Sequence, residues 1–510
     1  MTPPVRVRIA PSPTGYFHVG SARTALYNWC VARRAGGTFI LRIEDTDRER
    51  HQESQYEGII EALRWLEIDW DEGPYRQSER TALYADAIDR LWDAGYLYAC
   101  DCTRQEVLER TKKNAIPGYD GYCRHRGLER GPGRALRFAM PDGGVTVVRD
   151  VIRGDVEFAN HTIEDFVVAR SNGDALFVLA VVVDDRDMAI SHVIRAEEHL
   201  PTTPKAVLLW EALNRSPARG ESGGGGADSR ELPVFAHLPL LVNEKRQKIS
   251  KRRDRVAIED YRAQGFLPEA IGNYLALLGW SFPDGREVFT RAELVEAFRL
   301  EDVNNSPAFF DEQKLLHFNG VYIRALSTEE FTRRCRAWAT EEFTRRCRAF
   351  AKEAGSDLAA QQGADPFATP EWEILAPLVQ ERVHVLSEVP FYVTFLFGDS
   401  PTVDETSWEK AVLRDGEAET ILRAARDRMR EVPPEGWEAA ELKRVVEQMA
   451  SDVGRKLGKT QAPVRVATLG NTVGLPLFES LEVLGQDKTI RRLDEALQRL
   501  SGSSGEASVG

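Results

Sequence analysis

Pro11-Ser-Pro-Thr-Gly-Tyr-Phe-His-Val-Gly-Ser21 is the stretch on which the reading of this 510-residue chain turns. Ahead of it, Val5-Arg-Val-Arg-Ile-Ala10 alternates apolar and basic residues, the pattern of a short strand. Behind it, Ala22, Leu26, Trp29 and Cys30 recur at helical spacing up to Gly36-Gly37, a helix C-terminal signal. The stretch is therefore a strand-to-helix turn of Gly, Pro and small hydroxyl residues, with His18 where the helix begins. Backbone N–H groups at a helix start favour negative charge, and an imidazole adds a donor. Alone, the stretch suits a tight connection with a surface histidine equally well. A distant second piece tips the balance: Lys248-Ile-Ser-Lys-Arg252, preceded by Lys245 and Arg246.

Bulk properties narrow the class. The length calls for several domains with ample buried core. Apolar and charged contents of 42% and 29% are those of a soluble globular chain. No window approaches the ~18–20 apolar residues of a membrane span, and no basic-then-apolar leader opens the chain, so a cytoplasmic protein is expected. The six cysteines are not spaced as a disulfide framework. A net charge of -13 leaves a nucleic-acid partner open. Phosphate binding depends on local Lys/Arg surfaces, such as those at 245–255 and 333–348, and not on the total.

Thr38 to Ile43 reads as a second strand, completing a βαβ-like unit of the doubly wound kind. Asp47 to Trp65 reads as an amphipathic helix, and Ser78 as the cap of another that ends near Ala94 before Gly95. Glu72 to Ser78 reads as a loop between them. From Tyr98 to Asp174 short β segments dominate, at Arg134–Ala139, Val145–Val151 and Thr162–Arg170, with a hairpin turn at Ser171-Asn-Gly-Asp174. Val178 to Val183, wholly apolar, reads as a strand buried on both faces. A Gly/Ser-rich loop follows at 216–230, and Val234 to Val242 reads as a last strand. Beyond Pro268 the pattern is helical to about Leu500, and residues 501–510 are expected to be disordered. Thr328–Ala339 and Thr340–Ala351 repeat the same twelve residues except Trp338 against Phe350. Two copies are too few for a solenoid, and the reading is a local duplication that lengthens one helix.

His18-Val-Gly-Ser21 and Lys248-Ile-Ser-Lys-Arg252 resemble the two signature motifs of class I aminoacyl-tRNA synthetases. Arg8-Ile-Ala-Pro-Ser-Pro-Thr-Gly15, Arg23-Thr-Ala-Leu-Tyr-Asn-Trp29 and Leu41-Arg-Ile-Glu-Asp-Thr-Asp47 narrow the resemblance to bacterial glutamyl-tRNA synthetases. Specific motifs carry it over residues 5–320. It implies a Rossmann-like α/β catalytic domain in two halves, 1–98 and 181–235. Between them, 99–180 would be an inserted α+β domain that holds the tRNA acceptor end. A stem-contact region at 236–325 carrying the KISKR loop would follow, then an all-α anticodon-binding region at 326–500. The implied activity is a monomeric glutamate–tRNA ligase using ATP with Mg2+. Glutamyl-adenylate forms first, and its glutamyl group then passes to the 3′ end of tRNA(Glu), with tRNA(Gln) an open second acceptor. A glutaminyl-tRNA ligase, a tRNA-modifying relative without the helical half, and a non-catalytic tRNA-binding paralogue are the alternatives.

Adenylate formation demands little covalent chemistry of the protein, only positioning and cations or donors where charge builds. His18, Lys248 and Lys251 suit that work. Thr14, Gly15, Gly20, Ser21 and Ser250 join them as the ATP site that the resemblance implies, and Ser21 stands where some members carry histidine or glycine. The resemblance assigns glutamate to Arg8, Ser12, Glu44, Phe177 and Arg195, with Glu44 suited to the α-ammonium. An arginine fork on the side-chain carboxylate also discriminates against glutamine. At Phe177 the family usually has tyrosine, so a substrate-facing hydroxyl is missing. Cys100-x-Cys102 and Cys123-x-His125 are two close pairs of soft or imidazole ligands that suit structural Zn2+, and they resemble the zinc knuckle of some family members.

Overall fold

A computed structural model describes residues 4–46, 52–113, 118–216, 230–249, 256–339 and 367–506. The chain divides into two compact units, Met1–Arg262 with Pro268–Leu315, and Ala263–Leu267 with Leu316–Gly510. The first is α/β and the second is almost wholly helical.

The first unit begins as the opening stretch requires. Strand β1 (Arg6–Ile9) leads through the turn to helix α1 (Val19–Ala35), and β2 (Thr38–Ile43) returns parallel to β1 with Arg6 opposite Thr38. Gly36 ends α1 in the left-handed conformation at φ 58°, which glycine adopts without steric cost. Helix α2 is Glu53–Trp65, shorter than expected at its start, and 47–51 lie outside the described residues. Glu72–Arg76, expected as a loop, is the third parallel strand β3. Its Gly-Pro content hid it from a propensity reading, and an edge position tolerates proline. Ser78 is not a helix cap. Its N–H and hydroxyl donate to the two Asp45 oxygens at 2.8 and 2.7 Å, and α3 starts at Thr81 and runs to Asp93.

The inserted segment holds β4 (Leu97–Cys100), α4 (Arg104–Thr111), β5 (Ala135–Phe138), β6 (Val145–Asp150), β7 (Gly154–Ala159) and β8 (Val167–Ala169). Strands β4, β5 and β8 form one antiparallel sheet, and the turn at Ser171–Asp174 is closed by Gly173 N–H donating to the Arg170 carbonyl. The β6–β7 hairpin does not belong to that sheet. Its β6 edge pairs parallel with a later strand, β10, and so joins the nucleotide-type sheet.

The apolar run expected as a strand is helix α5 (Phe177–Asp187). A helix buried on all sides carries no polar face, so its sequence reads like a two-sided buried strand. Leu179, Ala180, Val182 and Val183 pack with Tyr84, Ile88 and Leu91 of α3 and with Leu209 and Leu213 further on. The returning strand is β9 (His192–Ala196), which α6 (Thr203–Arg215) follows. β10 is Val234–Leu238, parallel to β9 with His237 opposite Arg195. Pro239 breaks the expected single strand, and Leu241–Val242 pairs elsewhere, with Ala308–Phe309. The ends of β1, β9 and β10 lie together on one edge, where ligands of such sheets bind.

In the second unit, helices Ala418–Arg430, Ala439–Asp452, Leu457–Leu469, Leu477–Leu484 and Gln486–Glu506 bury Leu422, Val446, Val464, Leu481 and Leu493 in one core. Arg492 lies inside it. Its guanidinium donates to the carbonyls of Phe395, Gly398, Asp399 and Thr468, so a buried cation is satisfied without a carboxylate. The last helix continues to Glu506, past the expected start of a disordered tail at 501. Thr328–Ala339 is a helix that buries Phe331, Cys335 and Ala339, while its repeat at 340–351 lies outside the described residues.

Candidate active site

A cavity of about 650 Å3 opens at the edge formed by the ends of β1, β9 and β10. His18 and Lys248, 230 positions apart in sequence, both line it. Backbone bonds bring the two stretches together. Val19 N–H donates to the Val256 carbonyl at 2.9 Å, Ile258 N–H donates to the Phe17 carbonyl at 3.0 Å, and His18 bridges Ala257. On the other side of the second motif, Val242 bridges Lys248 after a turn closed by Gln247 N–H on the Asn243 carbonyl oxygen of the side chain. Ser250 and Lys251 lie outside the described residues.

His18 is the N-cap of α1. Its Nδ1 accepts the Ser21 N–H at 3.2 Å, which leaves the ring proton on Nε2, itself 3.2 Å from Ser21 Oγ. The ring thus presents a donor beside the helix N-terminus. Gly20 makes room for this fold-back, because a Cβ there would stand 3.1 Å from the ring. Gly20, Ser21 and Ser12 line the cavity, whereas Thr14 and Gly15 are not on its wall. Lys248 is ion-paired with Glu198, a residue that sequence reasoning did not single out. Burial would raise the Glu198 pKa, but the Lys248 ammonium holds it below the ordinary carboxylate value.

Arg8 and Glu44, which also line the cavity, belong to a buried charge network. Arg8 Nε and Nη2 donate to Asp185 Oδ1 and Oδ2 at 3.0 and 3.3 Å, and Arg42 Nη1 reaches Oδ1 at 2.7 Å. Asp184, beside it on α5, is held by Gln77, Arg80 and Tyr84. Burial opposes charge on Asp185, but Arg8 and Arg42 outweigh it and keep its pKa low. Glu44 lies 3.6 Å from Arg42, and burial pushes its pKa up to about 7 despite Arg42 and Arg8. Arg195 differs from Arg8. It donates from Nη2 to Thr203 Oγ1 at 2.9 Å and from Nε to His237 Nε2 at 3.4 Å, both neutral acceptors. Among the described residues it has no carboxylate partner, and burial with nearby Arg8 lowers its pKa to about 10. Phe177, the first residue of α5, lines the cavity and stacks on His199 with centroids 6.0 Å apart. Burial, then Arg195, lowers the His199 pKa to about 4, so that ring is neutral.

A second cluster lies in the inserted segment. The sulfurs of Cys100, Cys102 and Cys123 fall within 4.8 Å of one another. His125, expected as the fourth ligand, is exposed and outside the cluster. The Tyr119 hydroxyl borders the cluster, 3.7 Å from Cys100 Sγ and accepting the Cys123 N–H at 2.7 Å. Arg110 and Arg126 donate to Cys102 and Cys123 Sγ at 3.4 and 3.3 Å, but burial and the neighbouring Cys123 push the Cys102 thiol up to about 11 despite Arg110.

Residues 4–317 match the family described as the catalytic domain of class I tRNA synthetases (E and Q), and residues 330–497 match an anticodon binding domain. The chain is 53% identical to a Glutamate–tRNA ligase of Thermobifida fusca over 504 residues, 98% of each chain. It is also 53% identical to one of Frankia casuarinae, covering 98% of this chain and 99% of the other. A solved glutamate tRNA ligase of Elizabethkingia meningosepticum, in complex with its amino acid, superposes with a TM-score of 0.76 at 28% identity, over 97% of this chain and 99% of the other. No helix among the described residues is long and apolar enough to cross a membrane.

Proposed function

The chain belongs to the class I tRNA synthetases for glutamate and glutamine, and from that premise we propose that it is a glutamate–tRNA ligase. The observation that carries the substrate is Arg195, a part-buried guanidinium whose hydrogen-bond partners are neutral, set in the same cavity as Arg8, His18 and Lys248. A buried cation without an anion is costly, and a carboxylate ligand relieves that cost. Glutamine, whose amide is neutral, relieves it less. The glutamate α-carboxylate attacks the ATP α-phosphorus, the bond to the β-phosphate oxygen breaks, and pyrophosphate leaves. The 2′-hydroxyl of the tRNA terminal ribose then takes the glutamyl group and releases AMP. His18 Nε2–H, the N-terminus of α1 and Lys248 face the phosphates, with Lys251 completing that set. Magnesium arrives with the ATP and needs no protein cage. Residues 99–180 hold the acceptor end, 236–325 brace the tRNA, and 326–500 read its anticodon, in a monomeric enzyme. Pyrophosphate exchange tests this reading. Exchange is expected with ATP, glutamate and tRNA(Glu) together, and its absence overturns the assignment.

Glu44 pairs with the α-ammonium, and this makes glutamate binding pH-dependent. Its pKa near 7 means that the carboxyl is neutral below that value and anionic above it. Only the anion attracts an ammonium. The KM for glutamate is therefore expected to fall severalfold, roughly 3–10-fold for a partner of this kind, as the pH rises from 6 to 8. His199, neutral throughout that window, contributes nothing to the change. Glu44→Gln should raise KM and flatten the profile, which steady-state kinetics across the range will read.

Zinc fits the second cluster. Cys100, Cys102 and Cys123 would hold it, with the Tyr119 hydroxyl bordering the cluster. Bound there, zinc ties β4 to the loop that carries Cys123 and takes no part in adenylate chemistry. Metal analysis of the purified protein should find about one zinc per chain. Cys102→Ser should abolish it and lower Tm, whereas His125→Ala should retain it.

A further inference from the structure

Three strands place a chain of polar side chains behind Arg195. His237 stands opposite Arg195 in the β9–β10 register, and Asp150 ends β6 on the other side of β10. His237 and Thr203 are completely buried and Asp150 nearly so. The Asp150 carboxylate lies 2.6 Å from His237 Nδ1 and also accepts the Ile152 and Arg153 N–H groups at 2.9 and 2.8 Å. His237 Nε2 faces Arg195 Nε at 3.4 Å and Thr203 Oγ1 at 2.9 Å. Thr203 Oγ1 in turn accepts from Arg195 Nη2 at 2.9 Å and stands 3.1 Å from the His199 carbonyl.

Hydrogen-bond chemistry fixes the direction of this chain. A guanidinium only donates, so Nε2 of His237 must carry the lone pair. The ring proton is then on Nδ1, where Asp150 accepts it. Burial keeps the ring neutral, and the nearby Arg195 cation reinforces this, while the bonds from His237 and the two N–H groups hold Asp150 ionised against its own burial. Two edges of the Arg195 fork are thereby occupied, and among the described residues Nη1 has no acceptor.

The geometry points to His237 and Thr203 as positioning residues for the glutamate-binding arginine: Asp150 sets the tautomer of His237, which with Thr203 holds the Arg195 fork ready for the substrate carboxylate. The inference rests on the glutamate reading of the cavity. It assigns a function to three buried residues that do not touch substrate. A carboxylate in place of His237 would hold the arginine more strongly and compete with the ligand. A neutral acceptor orients the cation while leaving its charge uncompensated.

A pair of substitutions separates the two sides of the imidazole. His237→Asn keeps a donor toward Asp150 and removes the acceptor facing Arg195. His237→Gln places a carbonyl oxygen near the position of Nε2 and gives up the Asp150 bond. The Asn variant is expected to raise the glutamate KM and Kd by about 10-fold or more, with the ATP KM little changed, and the Gln variant to recover most of that loss. Thr203→Val, nearly isosteric, should raise the glutamate KM in the same selective way even if neither His237 variant folds. Glutamate Kd is read by calorimetry and KM by charging kinetics. A parent protein that binds no glutamate overturns the substrate reading and this inference with it. A parent that binds glutamate, with variants that match it or that raise the ATP and glutamate KM together, overturns this inference alone.

Discussion

Arg195→Gln should lower kcat/KM for glutamate by about 100- to 1,000-fold, because removing one member of a buried charged pair costs about 2–5 kcal/mol, and each 1.4 kcal/mol is about tenfold. The loss should fall on glutamate and spare ATP. Arg195→Lys keeps the charge but gives up the planar fork, and about a tenfold loss is expected. Stability should move the other way. The depressed Arg195 pKa means that the folded chain disfavours this charge relative to the unfolded one, so removing it relieves a cost at neutral pH. Tm of Arg195→Gln should therefore hold or rise while activity collapses. This separates a lost substrate contact from a damaged fold and is the pattern expected where stability is spent on function. Charging kinetics with both substrates varied, together with a thermal melt, will decide it.

His18→Ala is the second large effect, and it should fall on kcat. The Ser21 N–H bond to Nδ1 fixes the His18 ring and leaves Nε2 as the donor, which the proposed function aims at the ATP phosphates. Removing a preorganised donor from developing negative charge typically costs about 100- to 1,000-fold in rate. The KM for ATP should change less, since the α1 N-terminus and Lys248 remain. A saturated pyrophosphate-exchange rate in His18→Ala near that of the parent would remove the imidazole from the mechanism. The non-catalytic alternative makes a different prediction, with no exchange in the parent at all.

The elements that were legible in the sequence are those whose signals are local. The turn between β1 and α1, its Gly36 stop and His18 at the cap follow from adjacent residue types. Arg8, Ser12, Glu44, Phe177, Arg195, His18 and Lys248, named from motifs, all line one cavity. The failures come from context. Helix α5 lacks a polar face because every side is covered, so its period is invisible. Strands β3 and β7 carry Gly, Pro or acidic residues that only an edge position tolerates. His237, Asp150, Thr203 and Asp185 have partners that folding brings from far along the chain, such as the 177 positions between Arg8 and Asp185. No spacing rule reaches that far. His125 was misplaced for a related reason. A Cys-x-His pair suggests a ligand, but the backbone turns Cys123 inward and leaves the histidine exposed.

The hairpin of β6 and β7 lies within the inserted segment by sequence yet is hydrogen-bonded into the sheet beneath the cavity. The segment is consequently not a detachable cassette. A chimera spliced at its sequence limits would replace the Asp150 carboxylate together with the surface proposed to hold the tRNA acceptor end. Exchange of this segment between relatives, in the laboratory or in evolution, must then leave the strand behind or bring a compatible one along.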